Sequence, residues 1–207
     1  MANATRPKRR LTAEARRERI LDVAGRLFAE RGYDGASIDA IADAAGITAP
    51  VVYDHFASKR DLYGMLLERH GAALVDATTR PVPDGTLEQL LRVNVEAFFA
   101  FVEEHPDAWR ILFRDPSPDP EVAAVQRAVQ AQATRRLAEA IVAQAPRLRV
   151  SARLPRRQAD EVVAELGKSA LNGLAAWWWE HREVPRATLV ALAMDVLWVG
   201  LRDLTGE

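Results

Sequence analysis

The 207-residue sequence contains no cysteine, so neither a disulfide nor a thiolate-bound metal centre is open to it. Long apolar runs are missing too: no stretch approaches the roughly 18 uninterrupted apolar residues that a membrane helix requires. The arginine-rich N-terminus has no apolar segment behind it and does not read as a secretion signal. The four histidines, His55, His70, His105 and His181, are scattered. No H-E-x-x-H, G-x-S-x-G, Walker or dinucleotide fingerprint occurs, and the carboxylates lie on ordinary charged helix faces. The expectation is a cytoplasmic protein that is not an enzyme, with no membrane partner, catalytic residue, metal or cofactor.

What is present is the composition of a globular protein: 49% hydrophobic residues, 28% charged and a net charge of -1, enough for one or two small domains. The near-even charge conceals an asymmetry. Residues 1–20 carry seven Lys or Arg against two acids, while the remaining 187 are net negative by six. A basic end on a mildly acidic body suits a chain that meets a polyanion at one end.

Nearly all the periodicity is helical. Ile20, Val23, Ala24, Leu27 and Phe28 follow the i, i+3, i+4, i+7, i+8 rule and predict a helix over 12–31, stopped by Gly32. Ser37 caps a second, short helix with Ile38, Ile41, Ala42 and Ala45 on its apolar stripe, ended by Gly46. Thr48 opens a third, with Pro50 at the second helical position, where no intrahelical N–H is lost. Ser58 and Asp61, spaced S-x-x-D, start a fourth over 58–79. Longer helices follow: one ending near His105, a short one in "DAWRILF", then about 121–144, 158–181 and 186–204. The predicted fold is all-α, about nine helices.

Two short helices joined across a glycine, between longer ones, make a helix-turn-helix. In "GITAPVVYDHF" Val52 and Phe56 turn inward, leaving Thr48, Ala49, Val51, Tyr53 and His55 outward on the helix that enters a major groove. The alternative is a helical cap with a few solvated side chains. The basic "ATRPKRR" run reads either as a solvated tail or as an arm that reaches along DNA.

Residues 20–67, "ILDVAGRLFAERGYDGASIDAIADAAGITAPVVYDHFASKRDLYGMLL", resemble the DNA-binding domain of the tetracycline-repressor (TetR) family. Helix one, the Gly32-Tyr33 link, the helix-turn-helix and the Tyr53-x-His55-Phe56-x-Ser58-Lys59 run agree in order. Beyond them the match is only in length and all-helical layout. The resemblance implies a DNA-binding domain over 1–60 and a ligand-binding and dimerisation domain over 61–207. It also implies that Thr48, Ala49 and Val51 face bases and that Ser37, Tyr53, His55 and Lys59 touch phosphates of double-stranded DNA. Chemistry agrees for the second group, since hydroxyl, imidazole and ammonium groups are phosphate donors, and Ser37 and Lys59 lie at helix starts.

The reading positions depart from the family pattern, in which Lys, Gly and Thr or Ser are common where this chain has Ala49, Pro50 and Val51. Without Arg, Asn or Gln there, no bidentate base contact is available. Thymine methyl contacts by Ala49, Pro50 and Val51 are the expectation, with further specificity from phosphates, an Arg9 and Arg10 arm, and DNA shape.

The remainder exceeds what DNA reading needs. Its rings either fill core or line a cavity between helices, and the candidate pocket residues are Asn94, Phe98, Phe101, Trp109, Phe113, Asn172 and Trp177. The amides of Asn94 and Asn172 require partners, either neighbouring backbone or a ligand or water. Trp177, Trp178 and Trp179, about 100° apart around one helix, must face three environments. The resemblance implies that the last two helices pair with their copies in a homodimer, with Trp178, Leu192, Val196 and Val199 as candidate interface residues. It implies a regulator, in the family's usual mode a repressor, that binds a palindromic operator and is released by a small, largely apolar or aromatic effector. The segment "PRLRVSARLPRR" reads as a solvated loop.

Overall fold

Nine helices make up the described residues of the computed structural model, which are 12–113, 117, 119–144 and 153–205. The chain divides into two compact units, Met1–Leu66 and Leu67–Glu207.

In the first unit α1 (Ala13–Gly35) begins at Thr12, whose hydroxyl accepts from the Ala15 N–H at 3.1 Å. Its helical geometry breaks at Gly32 (φ 73°, ψ 175°), a backbone state essentially restricted to glycine. The stop expected at Gly32 is therefore a kink, beyond which helical turns resume to Gly35. The short α2 (Ile38–Ala45) is capped by Ser37, which accepts from Ala40 N–H at 3.1 Å. It ends on Gly46 in the left-handed region, with Gly46 N–H donating to Asp43 O and Ile47 N–H to Ala42 O, both at 3.0 Å. The five-residue α3 (Ala49–Tyr53) follows, and α4 (Lys59–Thr78) begins after a cap in which Ser58 accepts from Asp61 N–H. Asp61 in turn accepts from the N–H of Ala57 at 3.0 Å, one residue earlier than a standard capping box would have it.

Ile20, Ala24, Phe28, Ile41, Val52, Phe56, Leu62 and Leu66 are buried in this unit. Each large apolar side chain so buried contributes about 1.5–3 kcal/mol. This compact unit reaches Leu66, within α4, because the first turns of α4 belong to its core. Tyr63 meets Phe28 edge-on at 4.9 Å, and Met65 Sδ accepts from Arg17 at 3.0 Å.

The second unit takes the rest of α4 and then α5 (Leu87–Glu104), α6 (Pro106–Phe113), α7 (Pro120–Gln144), α8 (Arg156–Glu180) and α9 (Arg186–Thr205). A Thr86–Gln89 capping box starts α5. α7 lies along α8 and α5 along α9. The Arg186 guanidinium fastens the start of α9 to α5, reaching Glu96 at 3.1 Å and Glu103 at 2.6 Å. Most of "PRLRVSARLPRR" lies outside the described residues; its last two arginines already belong to α8, where Arg156 pairs with Asp160 at 2.8 Å. Among the described residues no helix is long and apolar enough to cross a membrane.

Candidate functional site

The segment from Thr48 to Phe56, made of α3, its N-cap and the turn after it, is partitioned by burial. Val52 and Phe56 are closed into the core, whereas Thr48 is exposed and Tyr53 is 54% exposed. Ala49, Val51 and His55 are half-buried. Thr48 is the N-cap of α3, yet its hydroxyl makes no cap hydrogen bond and keeps its bonding capacity for something else. Ser37 accepts from Ala40 N–H and retains its own O–H as a donor. Arg9 and Arg10 lie outside the described residues.

Lys59 occupies the first position of α4, with its ammonium 4.4 Å from the centroid of the Tyr33 ring. Tyr33 packs at 6.1 Å from Phe28 and 5.1 Å from Tyr63. Gly32 makes this possible, because its positive φ folds the chain so that the next residue returns to the Phe28 and Tyr63 rings. The sequence signal for this platform was the glycine-aromatic pair; its link to Lys59 spans 26 positions and leaves no local trace. Arg17, one of the N-terminal basic residues, is half-buried, with its guanidinium 5.1 Å from the Phe56 ring. It braces the reading helix from behind.

The second unit holds a cavity of about 110 Å³ between α4, α5, the end of α6, α7, α8 and α9. Asn94, Phe98, Phe113 and Asn172 line it, together with aliphatic side chains such as Leu87, Leu90, Leu137 and Ile141. The side-chain oxygens of Asn94 and Asn172 are buried without a hydrogen-bond partner. Lys168 is the charged residue in the lining, but its ammonium reaches Glu165 Oε2 at 2.8 Å and Thr134 Oγ1 at 2.9 Å. Burial pushes the Glu165 carboxyl up, but hydrogen bonds from Lys168, Thr134 and Ser169 and the Lys168 charge outweigh it and hold the group below its ordinary value.

Three expected pocket residues are elsewhere. Phe101 packs against His105 at 5.0 Å, and Trp109 stacks on Trp179 at 6.0 Å. Trp177 is 46% exposed and stacks on His181 at 4.0 Å. Trp178, expected on the dimer face, is instead 2% exposed: its ring meets Phe99 and its N–H donates to Val184 O at 2.8 Å. The three tryptophans do face three environments, but Trp177 lies outside the cavity and Trp178 is in the core, because Phe99 and Val184 claim the ring that the sequence could not single out. Leu192, Val196 and Val199 are exposed on one face of α9, Val196 at 73%. Val162, Leu166, Gly173 and Trp177 form an exposed face of α8 at helical spacing.

The model of "Bacterial regulatory proteins, tetR family" matches residues 20–66, and that of "Tetracyclin repressor-like, C-terminal domain" matches residues 87–200. The HTH-type transcriptional activator FasR of Mycolicibacterium smegmatis is 41% identical over 125 residues, 59% of this chain and 57% of FasR. The HTH-type transcriptional repressor KstR2 of Mycobacterium tuberculosis is 33% identical over 108 residues, 49% of this chain and 50% of KstR2. The chain thus spans between half and three-fifths of the length of these relatives. Among solved structures, a TetR-like transcriptional regulator from a Rhodococcus species superposes with a TM-score of 0.73 at 25% identity, covering 93% of this chain and 99% of that one. The fatty acid degradation regulator FadR of Bacillus halodurans shares the fold, with a TM-score of 0.74 at 18% identity, over 94% of this chain and 99% of its own.

Proposed function

Because the chain belongs to the TetR family of bacterial regulatory proteins, we propose that it is a transcriptional repressor that holds a palindromic operator as a homodimer and releases it to a small effector. One observation carries the DNA-binding part: α3 and the turn after it bury Val52 and Phe56, while the Thr48 cap and Tyr53 are presented to solvent. Ser37 and Lys59 flank that surface at the starts of α2 and α4, where backbone N–H groups favour a phosphate. Tyr53 and His55 add two further donors. Ala49, Pro50 and Val51 offer only hydrocarbon, which suits thymine methyl groups.

The exposed apolar faces of α8 and α9 support pairing with a second copy, since side chains such as Val196 gain by leaving water. Two-fold pairing sets two reading helices roughly 34–36 Å apart, on successive major grooves, and makes the operator an inverted repeat. The cavity supports effector control. A ligand that fits better when α4 has shifted favours a spacing of the reading helices that no longer matches the grooves. The named relatives divide between an activator and a repressor. We take repression, because a dimer displaced by its effector controls transcription simply by occupying its site.

The test is selection from a random duplex library with the purified full chain at low ionic strength, free of small molecules. An inverted repeat bound by the wild type and lost in Tyr53→Ala is the expected result. Recovery of no common site, or of a site bound equally by Tyr53→Ala, would overturn the reading.

A further inference from the structure

We propose that Arg17 is a positioning residue for the reading helix: through Phe56 and Met65 its guanidinium fixes the orientation of α3, and so it serves the choice of operator rather than the hold on phosphate. This rests on the reading of the first unit as a DNA-binding domain and is independent of the dimer and of the effector. Arg17 stands in the basic stretch of residues 1–20, where a cation counts by default as a phosphate contact. The structure gives it other partners. Its guanidinium lies 5.1 Å from the centroid of the Phe56 ring, and its Nη2 donates to Met65 Sδ at 3.0 Å. Phe56 is 2% exposed, and Arg17 and Met65 are half-buried, so the fork is engaged toward the core.

The five residues of α3 are too few to hold a helix in water without outside anchors. Those anchors are the buried Val52 and Phe56, and the Phe56 N–H donates to Val52 O at 3.0 Å to close the turn behind α3. Arg17 on α1 thus ties the ring on which α3 is seated to Met65 on α4. A guanidinium is planar and weakly hydrated, so it lies against a ring while an edge N–H reaches a sulfur; the compact, strongly hydrated ammonium of lysine does not replace both contacts. Ser37 and Lys59, the phosphate donors proposed at the starts of α2 and α4, stand outside α3. Loss of the Arg17 contacts therefore misaligns Thr48, Ala49 and Val51 while those phosphate contacts survive, and phosphate contacts carry no sequence information.

The experiment compares the full chain with its Arg17→Lys and Arg17→Gln variants on the operator recovered by selection and on a scrambled duplex of equal length, by fluorescence anisotropy across a salt series. Both variants are expected to bind the operator about fivefold to tenfold more weakly, to stay within about twofold of the wild type on the scrambled duplex, and to keep the wild-type salt slope. A phosphate contact gives another pattern: Arg17→Lys near wild type, and Arg17→Gln weaker on both duplexes with the slope reduced by about 0.9 per head. A merely structural role lowers both duplexes equally in both variants. Either of these patterns overturns the proposal. The chain's three methionines, Met1, Met65 and Met194, allow a check without DNA. In methyl NMR spectra the Met65 signal, assigned by its loss in Met65→Leu, is expected to shift in both Arg17 variants, and an unmoved signal overturns the proposal too. A wild-type chain that binds no duplex sinks the DNA-binding reading and the proposal with it, whereas failure of the Arg17 variants alone leaves that reading standing.

Discussion

The Lys59 ammonium lies 4.4 Å from the centroid of the Tyr33 ring, on the platform that Tyr33 forms with Phe28 and Tyr63. The contact holds a flexible four-carbon chain near one direction at the start of α4, which lowers the entropy lost when the ammonium meets a phosphate. Lys59→Gln should therefore weaken operator and non-operator duplexes alike, and reduce the slope of log affinity against log salt by about 0.9 per head. Tyr33→Leu should weaken binding less and leave the slope near its wild-type value, because the charge survives. Fluorescence anisotropy across a salt series reads both; an unchanged slope in Lys59→Gln would remove Lys59 from the phosphate contacts.

The hydrocarbon of Ala49, Pro50 and Val51 makes the C5 methyl of thymine its natural counterpart. Replacing operator thymines one at a time by deoxyuridine, which lacks only that methyl, should cost about 1 kcal/mol at the contacted positions. In Val51→Ala the same replacement opposite residue 51 should cost almost nothing. A wild type indifferent to every such replacement would assign specificity to DNA shape instead.

How far the fold was legible depended on how local its cause was. The Ile20 to Phe28 stripe, the Ser37 cap, the Gly46 turn and the inward pair Val52 and Phe56 are set by spacing within a few residues, and each is found where the sequence places it. Arg17 reads as one more basic residue because its partners, Phe56 and Met65, lie far along the chain. The burial of Trp178 and exposure of Trp177 have the same origin, since three adjacent rings give no internal reason to prefer one register. Asn94 and Asn172 were visible as polar residues in apolar surroundings, but only packing shows that they share a cavity and lack partners.

Gly32 has φ 73° and ψ 175°, and no side chain would crowd a Cβ placed there. Any cost of Gly32→Ala is thus backbone strain alone, about 1–3 kcal/mol. It should appear as a lowered urea midpoint by circular dichroism. Weaker DNA binding should accompany it, because Tyr33 would leave its place beneath Lys59. Wild-type stability in this variant would mean that the chain reaches Tyr33 by another route.

Glu165 sets a pH dependence whose sign follows from its lowered carboxyl value. A carboxylate depressed by folding stabilises fully above its unfolded value of about 4.3, and that contribution fades as pH falls through the lower folded value. Glu165→Gln should therefore have a flatter acid limb of stability than the wild type, with the two curves converging at the acid end. All five tryptophans lie in the second unit, so tryptophan fluorescence during urea unfolding follows the unit that contains Glu165. Parallel curves down to pH 3 would show that the Lys168 and Thr134 contacts do not discriminate between the protonation states.

Trp178 and Val196 offer the sharpest separation of core from interface. Trp178 is enclosed by its own protomer, with its N–H on Val184 O, so Trp178→Ala should lose about 3–5 kcal/mol of stability. Trp178→Phe should lose less and leave the association state unchanged. Val196 is 73% exposed in the protomer, so Val196→Asp costs the isolated chain little. In a dimer formed through α8 and α9, the same change buries two uncompensated carboxylates and should shift the protein to monomers, with operator affinity falling alongside. Sedimentation equilibrium reads the association state and urea unfolding reads stability. A Val196→Asp protein that remains dimeric would move the interface away from this face of α9, whatever the outcome at Trp178.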